Sequence, residues 1–250
     1  MGVSVAVLLT LWELAVAVFQ PRPSILPPPS RIVEQALLHA PELAEHTLAT
    51  LIVTLAGFTC SLAFSWAVAI TVDFNDTLRR AITPLLVASQ TIPIIAIAPL
   101  MILWFGFGLL PKVLLVVLVT FFPMLLGLIE AFRATPSGKA ELLASMGATR
   151  WQQFRFLRLP QAIPAFFTSL RIAVTYAVVG AIFAEYAGST AGLGVYMAVQ
   201  KNAFRTDLVL AAVATTAAVS ITLFALAVLA ERLVAPWALR VRQDTAGRRR

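Results

Sequence analysis

The chain has 250 residues, of which 60% are hydrophobic and only 12% charged, with a formal net charge of +7. A soluble domain carries roughly 25% charged and about 45–50% apolar residues, so this composition excludes a water-facing globule and predicts an all-α, polytopic membrane protein. The apolar runs are continuous, without the alternating segments of a transmembrane β-barrel, and the basic residues are not interleaved with stacking aromatics as nucleic-acid binding would require.

Runs of about twenty apolar residues mark spans, because a helix rises 1.5 Å per residue through roughly 30 Å of hydrocarbon. Six are predicted, at 3–19, 47–72, 81–104, 112–129, 166–186 and 208–229. The first holds Glu13 and has no basic residue before its apolar core, unlike a secretory signal. The segment 21–29 follows, with prolines at 21, 23, 27, 28 and 29. Each proline lacks an amide donor and disfavours helix in the residue before it, which predicts an extended external connector. His39 and His46, with no cysteine beside them, read as interfacial polar residues rather than metal ligands. Cys60 is the one cysteine and forms no disulfide within the chain.

The third span runs into Gln90-Thr91-Ile92-Pro93, Pro99 and Trp104-Phe105-Gly106-Phe107-Gly108. Two prolines in one span break backbone hydrogen bonds that lipid cannot replace, and such helices are tolerated where they face protein or a water-filled cavity. Gln90, Thr91, Pro93 and Pro99 are therefore candidates for a translocation path, with plain structural packing as the alternative.

Between the fourth and fifth spans lies a charged island, 141–160. Thr135-Pro136 fits an N-cap followed by proline at the first helical position. Gly147 fits a left-handed helix stop. Thr149 to Gln152 fits a capping box that opens a second short helix, with Pro160 and Pro164 closing it. Trp151, Phe154 and Leu157 form one stripe, from which Phe156 points away. From spacing alone, a helical hairpin lying at the interface, its aromatics among headgroups, also fits.

Glu185, near the outer end of the fifth span, precedes Gly188, Gly192, Leu193 and Gly194. An ionisable group at membrane depth is a functional candidate by default, so Glu185 joins the translocation-path candidates, with a structural or gating role favoured over ligand contact. Asp73, Asp76 and Asp207 fall at span ends, where solvation is cheap and no role is needed.

Loop charges set the orientation. Arg79, Arg80, Arg133, Lys139, Arg150, Arg155, Arg158, Arg232, Arg240, Arg242, Arg248, Arg249 and Arg250 fall on one side, thirteen against the five of Arg22, Arg31, Lys112, Lys201 and Arg205. Both termini are predicted to be cytoplasmic, and basic loops facing an anionic leaflet account for the net charge. The chain reads as one transmembrane domain, 1–237, whose loop 133–164 is cytoplasmic, followed by a basic tail, 238–250.

The island carries a further pattern. Glu141 stands six residues before Gly147, and Leu157, Leu159 and Pro160 stand ten, twelve and thirteen after it. This spacing resembles the EAA loop in the inner-membrane permeases of binding-protein-dependent ABC importers, over most of the chain. Leu142 and Leu143 depart from the two alanines of that motif, and Ala144 follows. The resemblance implies a type I importer-like permease in a bacterial inner membrane. Its loop would be the coupling helix docked on a separate ATPase, which supplies ATP and Mg; no cofactor is expected in this chain. It implies as partners that ATPase dimer, a second permease copy and an extracytoplasmic binding protein. The coupling residues implied are Glu141, Gly147, Ala148, Arg150, Trp151, Leu157, Leu159 and Pro160. Glu141 would pair with a basic group, while Arg150 and Arg155 would either salt-bridge the ATPase or hold the loop at the inner leaflet.

The string from Gln90 to Gly108 is similar to permeases of the nitrate, sulfonate and taurine group, leaning toward the members associated with thiamine pyrimidine precursors or riboflavin. The chain has no phosphate-binding Gly-x-x-x-x-Gly-Lys loop and no His-Glu-x-x-His or Gly-x-Ser-x-Gly motif, so it is not expected to be an enzyme. An ion-coupled secondary transporter is the competing class, although few buried acids are available for a coupling-ion site.

Overall fold

A computed structural model describes residues 2–89 and 91–237. Gln90 and the tail 238–250 lie outside the described residues. Every regular element among the described residues is helical: α1 (Gly2–Phe19), α2 (Pro29–Leu38), α3 (Ala40–Phe74), α4 (Asp76–Ser89), α5 (Ile94–Phe105), α6 (Leu109–Arg133), α7 (Ser137–Ser145), α8 (Arg150–Gln153), a π-turn (Phe154–Arg158), α9 (Leu159–Gly188), α10 (Leu193–Asn202) and α11 (Thr206–Val234).

Four helices are long and apolar enough to cross a bilayer: α3, α6, the continuous 150–188 helix and α11. They correspond to the second, fourth, fifth and sixth predicted spans and overrun each at both ends. Hydropathy marks only the part that belongs in hydrocarbon, whereas the helices continue beyond it. The 35 residues of α3 reach about 52 Å, well past a core of roughly 30 Å.

The third predicted span is not one helix. It is α4 and α5, interrupted before Pro93, which takes the extended N-cap position of α5 at φ −67°, ψ 120°. Proline bars helix from the residue preceding it, so the chain must restart. Leu86 of α4 shares a core cluster with Phe154 of the loop, whereas Ile102 of α5 lies against Gly188 at the other end of α9. The first predicted span is the shorter apolar helix α1. Its odd acid has a partner: Glu13 accepts the Ser30 N–H at 3.1 Å and the Ser30 hydroxyl at 2.7 Å, a carboxylate at the positive end of α2. The 21–28 connector is free of helix, but Pro29 is the first residue of α2, where its missing donor costs nothing.

Helices α3, α6 and α9 form the centre, where Val116, Met124, Leu125, Leu128 and Ala173 have no exposed surface. Small residues bring the backbones together, as in membrane interfaces generally. A Cβ on Gly127 of α6 would stand 1.8 Å from Ser169 Oγ of α9. Helix α11 packs on α9, and α2 and α10 cover the end remote from the loop.

Candidate functional site

Two short helices hinged at Gly147 build the charged island. The first, α7, begins one residue later than the sequence predicts. Pro136 itself is the N-cap at φ −60°, ψ 128°, without a side-chain cap, so Thr135 is not the capping residue. Proline supplies the extended backbone of an N-cap without needing a hydroxyl. At the other end Gly147 has φ +83°. Its N–H reaches the Ala144 carbonyl at 3.0 Å and that of Ala148 reaches Leu143 at 3.0 Å. These two bonds are a Schellman stop, which satisfies carbonyls that the helix end leaves open.

The capping box opens α8 as predicted. Thr149 N–H donates to Gln152 Oε1 at 2.7 Å, and Gln152 N–H donates to Thr149 Oγ1 at 3.3 Å. Pro160 and Pro164, however, do not close this helix. The chain passes through the π-turn into α9, forming one helix from 150 to 188. Leu159 N–H bonds the Phe154 carbonyl five residues back, so the ladder is already widened where Pro160 has no donor to offer. The loop's second helix and a membrane span are thereby one rod.

The aromatic stripe anchors this rod to its neighbours. Phe154 is buried, with its ring 5.5 Å from Phe74 at the end of α3 and 5.3 Å from Phe132 at the end of α6. Trp151 stacks on both Phe154 (5.6 Å) and Phe74 (6.2 Å), yet remains 55% exposed. Phe156 is exposed on the opposite side. Arg158, within the π-turn, places one nitrogen, Nη1, 2.9 and 3.0 Å from the two carboxylate oxygens of Asp73. Asp73 is thus a buried, paired acid and not a solvated span end; its side chain is 7% exposed. Asp76, paired with Arg79 at 2.8 Å, is the exposed one.

Beneath the loop is a cavity of about 290 Å³ lined by Asp73, Arg79, Arg133, Glu141 and Arg158 among others. Glu141 is exposed at its rim and makes no salt bridge among the described residues. Arg150 is exposed, Ala148, Leu157, Leu159 and Pro160 are half-buried, and all lie along the same hinge and rod.

A second polar cluster closes the opposite end. Glu185 is 1% exposed, held between α3, α9 and α10 rather than on an open face. Its Oε2 accepts the Gly194 N–H at 2.9 Å and the Thr50 hydroxyl at 3.0 Å. Thr50 Oγ1 in turn accepts the Leu193 N–H at 2.8 Å, and His46 Nδ1 accepts the Gly192 N–H at 3.0 Å. Lys112 bonds Ser189 in the same turn. Burial, reinforced by the Glu42 carboxylate, pushes the neighbouring Tyr196 phenol up to about 12. Asp207 is buried as well, contrary to its reading as a solvated span end. Both Arg31 and Arg205 reach it at 3.1 Å.

Thr91 and Pro93 lie exposed at the α4–α5 break, and Pro99 lies on the exposed face of α5. The opposite face of α5 buries Ala98 against Leu115 and Ala184. Ala184, the neighbour of Glu185 in α9, is thereby in contact with the same face of α5. Sequence reasoning also missed the ion pair between Arg171 of α9 and Glu231 of α11, 3.0 Å apart. A lone arginine inside an apolar span was the available signal.

The described residues thus form a polytopic helical chain whose hinged loop continues directly into a long apolar helix. The chain belongs to the family of binding-protein-dependent transport system inner membrane components, which matches residues 46–240, and is accordingly an ABC importer permease of the inner membrane. It is 38% identical over 237 residues (94% of this chain and 88% of the relative) to the riboflavin transport system permease protein RibX of Chloroflexus aurantiacus. Identity to the formylaminopyrimidine transport permease protein ThiX of Halalkalibacterium halodurans is 36% over 231 residues, covering 92% of each chain. The taurine transport system permease protein TauC of Escherichia coli is 31% identical over 242 residues, 94% of this chain and 88% of that one.

Proposed function

We propose that this permease carries a flat heteroaromatic solute inward, either a pyrimidine precursor of thiamine or riboflavin. The observation supporting this substrate class is the identity of 38% and 36% to a riboflavin and a formylaminopyrimidine permease, against 31% to a taurine permease. Taurine or another sulfonate is the second reading, supported by that third relative.

The energy enters through 133–164. The ATPase subunits bind ATP and Mg and dock on the loop at Glu141, Ala148, Arg150 and Trp151. Gly147 sets the bend, and Leu157, Leu159 and Pro160 join the loop to α9. The reading is supported by Trp151, which stays largely exposed although its neighbour Phe154 is buried, and by the unbroken rod from 150 to 188. Two permease copies face one another, and an extracytoplasmic binding protein delivers the solute. The thirteen basic residues on the loop side against five on the other support a cytoplasmic loop and cytoplasmic termini. Gln90, Thr91, Pro93 and Pro99 border the path, Thr91 and Pro93 at the α4–α5 break and Pro99 within α5, and Glu185 holds the outer end closed.

The test is uptake by proteoliposomes holding the permease, its ATPase and its binding protein, offered labelled hydroxymethylpyrimidine, riboflavin and taurine in turn. Vanadate-sensitive uptake of either heteroaromatic is expected. Uptake of taurine alone would overturn the substrate class.

A further inference from the structure

Three features converge where the loop meets the bundle. The backbone between α8 and α9 is a π-turn, Phe154–Arg158, which inserts an extra residue into the hydrogen-bond ladder; such turns recur at functional sites. Arg158 of that turn grips Asp73 with one nitrogen near both oxygens, at 2.9 and 3.0 Å. One residue on, Phe74 packs on Trp151 and Phe154, the rings on the other side of the turn. Asp73 and Phe74 are the last two residues of α3. The end of α3 is therefore attached to the rod just before the π-turn, at Trp151, and at both ends of the turn itself, at Phe154 and Arg158.

From this we infer that Asp73 and Arg158 are positioning residues of a joint that carries displacement of the loop into α3 as well as into α9. The inference rests on the coupling role proposed for the loop and adds a second route. A push on α8 reaches α9 along the backbone through the π-turn. It reaches α3 across the side chains, by the ring stack on Phe74 and the ion pair on Asp73. The Asp73 side chain is 7% exposed, so its carboxylate has little solvent to replace its partner, and loss of Arg158 would leave it poorly compensated. Without the pair, the π-turn would let the rod rotate while α3 stayed behind.

The experiment uses the full complex with the ATPase, with Cys60→Ser to remove the native thiol. Spin labels are placed at exposed positions on α3 (Thr71→Cys) or α9 (Gln161→Cys), each paired with one on α11 (Leu233→Cys). Label distances are compared between the nucleotide-free and the ADP–vanadate-trapped complex. In the parent both distances are expected to shift. Asp73→Asn and Arg158→Gln are expected to keep the ATPase bound and to keep the α9 shift while losing the α3 shift. Arg158→Lys is expected to retain it, since a single nitrogen makes both contacts. A full α3 shift in Asp73→Asn and Arg158→Gln overturns the joint. So does its equal loss in Arg158→Lys and Arg158→Gln, and so does release of the ATPase by these variants alone, which would assign the pair to docking. If Glu141→Lys and Gly147→Pro also leave the ATPase bound, with no shift of α9 in the parent, the coupling role of the loop fails instead.

Discussion

Glu185 and Gly192 are so closely packed that no other residue fits at the glycine. A Cβ added to Gly192 would lie 2.2 Å from Glu185 Cδ, and the glycine sits at φ +126°. Gly192→Ala is therefore expected to destabilise the protein by about 3 kcal/mol or more, read as a lowered unfolding temperature in detergent. Glu185→Gln keeps an oxygen for the Gly194 N–H, whereas Glu185→Ala strands that donor at a cost of about 1–3 kcal/mol. The order Gln milder than Ala is the expected result. Equal stability of the two variants would remove the hydrogen bond from the account of this turn.

At Gly147 the constraint is different. Nothing lies within 4 Å of the position a Cβ would take, but φ is +83°. The penalty for Gly147→Ala is thus one of backbone alone, about 1–2 kcal/mol, and Gly147→Asn should be milder because Asn tolerates the left-handed region. Gly147→Pro cannot adopt that φ at all and also removes the donor to Ala144. Gly147→Pro and Glu141→Lys are expected to abolish ATPase association and uptake while membrane insertion persists. Co-purification of the ATPase from membranes measures this, and retained binding in both variants would contradict the docking role.

These two sites differ in how far the sequence discloses them. Gly147 and the Thr149–Gln152 box are legible because their chemistry is closed within a few residues: a stop that needs positive φ, and a hydroxyl and an amide three positions apart. The long spans are legible because lipid imposes apolarity along their whole length. Asp73–Arg158 and Asp207–Arg31 are not, since 85 and 176 positions separate the partners and no periodicity links them. Each acid looked solvated because its neighbours in sequence are span ends, while in space each also meets an arginine from a distant segment, Arg158 for Asp73 and Arg31 for Asp207. The prolines misled for a related reason. Pro160 ends a regular α-helix, but the π-turn before it changes the ladder that it would have broken.

The pair of Arg171 and Glu231 ties α9 to α11 with side-chain exposures of 19% and 3%. Removing Arg171 takes from the buried Glu231 its charged partner on α9. Arg171→Met is therefore expected to destabilise the protein, and the double change Arg171→Met with Glu231→Met to cost less, because the buried carboxylate is then gone as well. Chemical or thermal unfolding of Arg171→Met, Glu231→Met and the double variant checks the order. A double variant as unstable as the sum of the singles would mean that the two residues act independently.

The capping box supports the last prediction. Thr149→Ala removes the acceptor for Gln152 N–H, and Gln152→Ala removes the acceptor for Thr149 N–H, each loss costing about 1 kcal/mol of local helix stability. Both groups are exposed, so global unfolding should change little. What should change is the order of α8, the four-residue helix that carries Arg150 and Trp151. Amide hydrogen exchange at 150–153 is expected to quicken about fivefold in either variant, the factor that corresponds to about 1 kcal/mol. Thr149→Ser, which keeps the hydroxyl, should restore most of the protection. Unchanged exchange in Thr149→Ala would show that the aromatic stack on Phe74, rather than the cap, holds α8 in place.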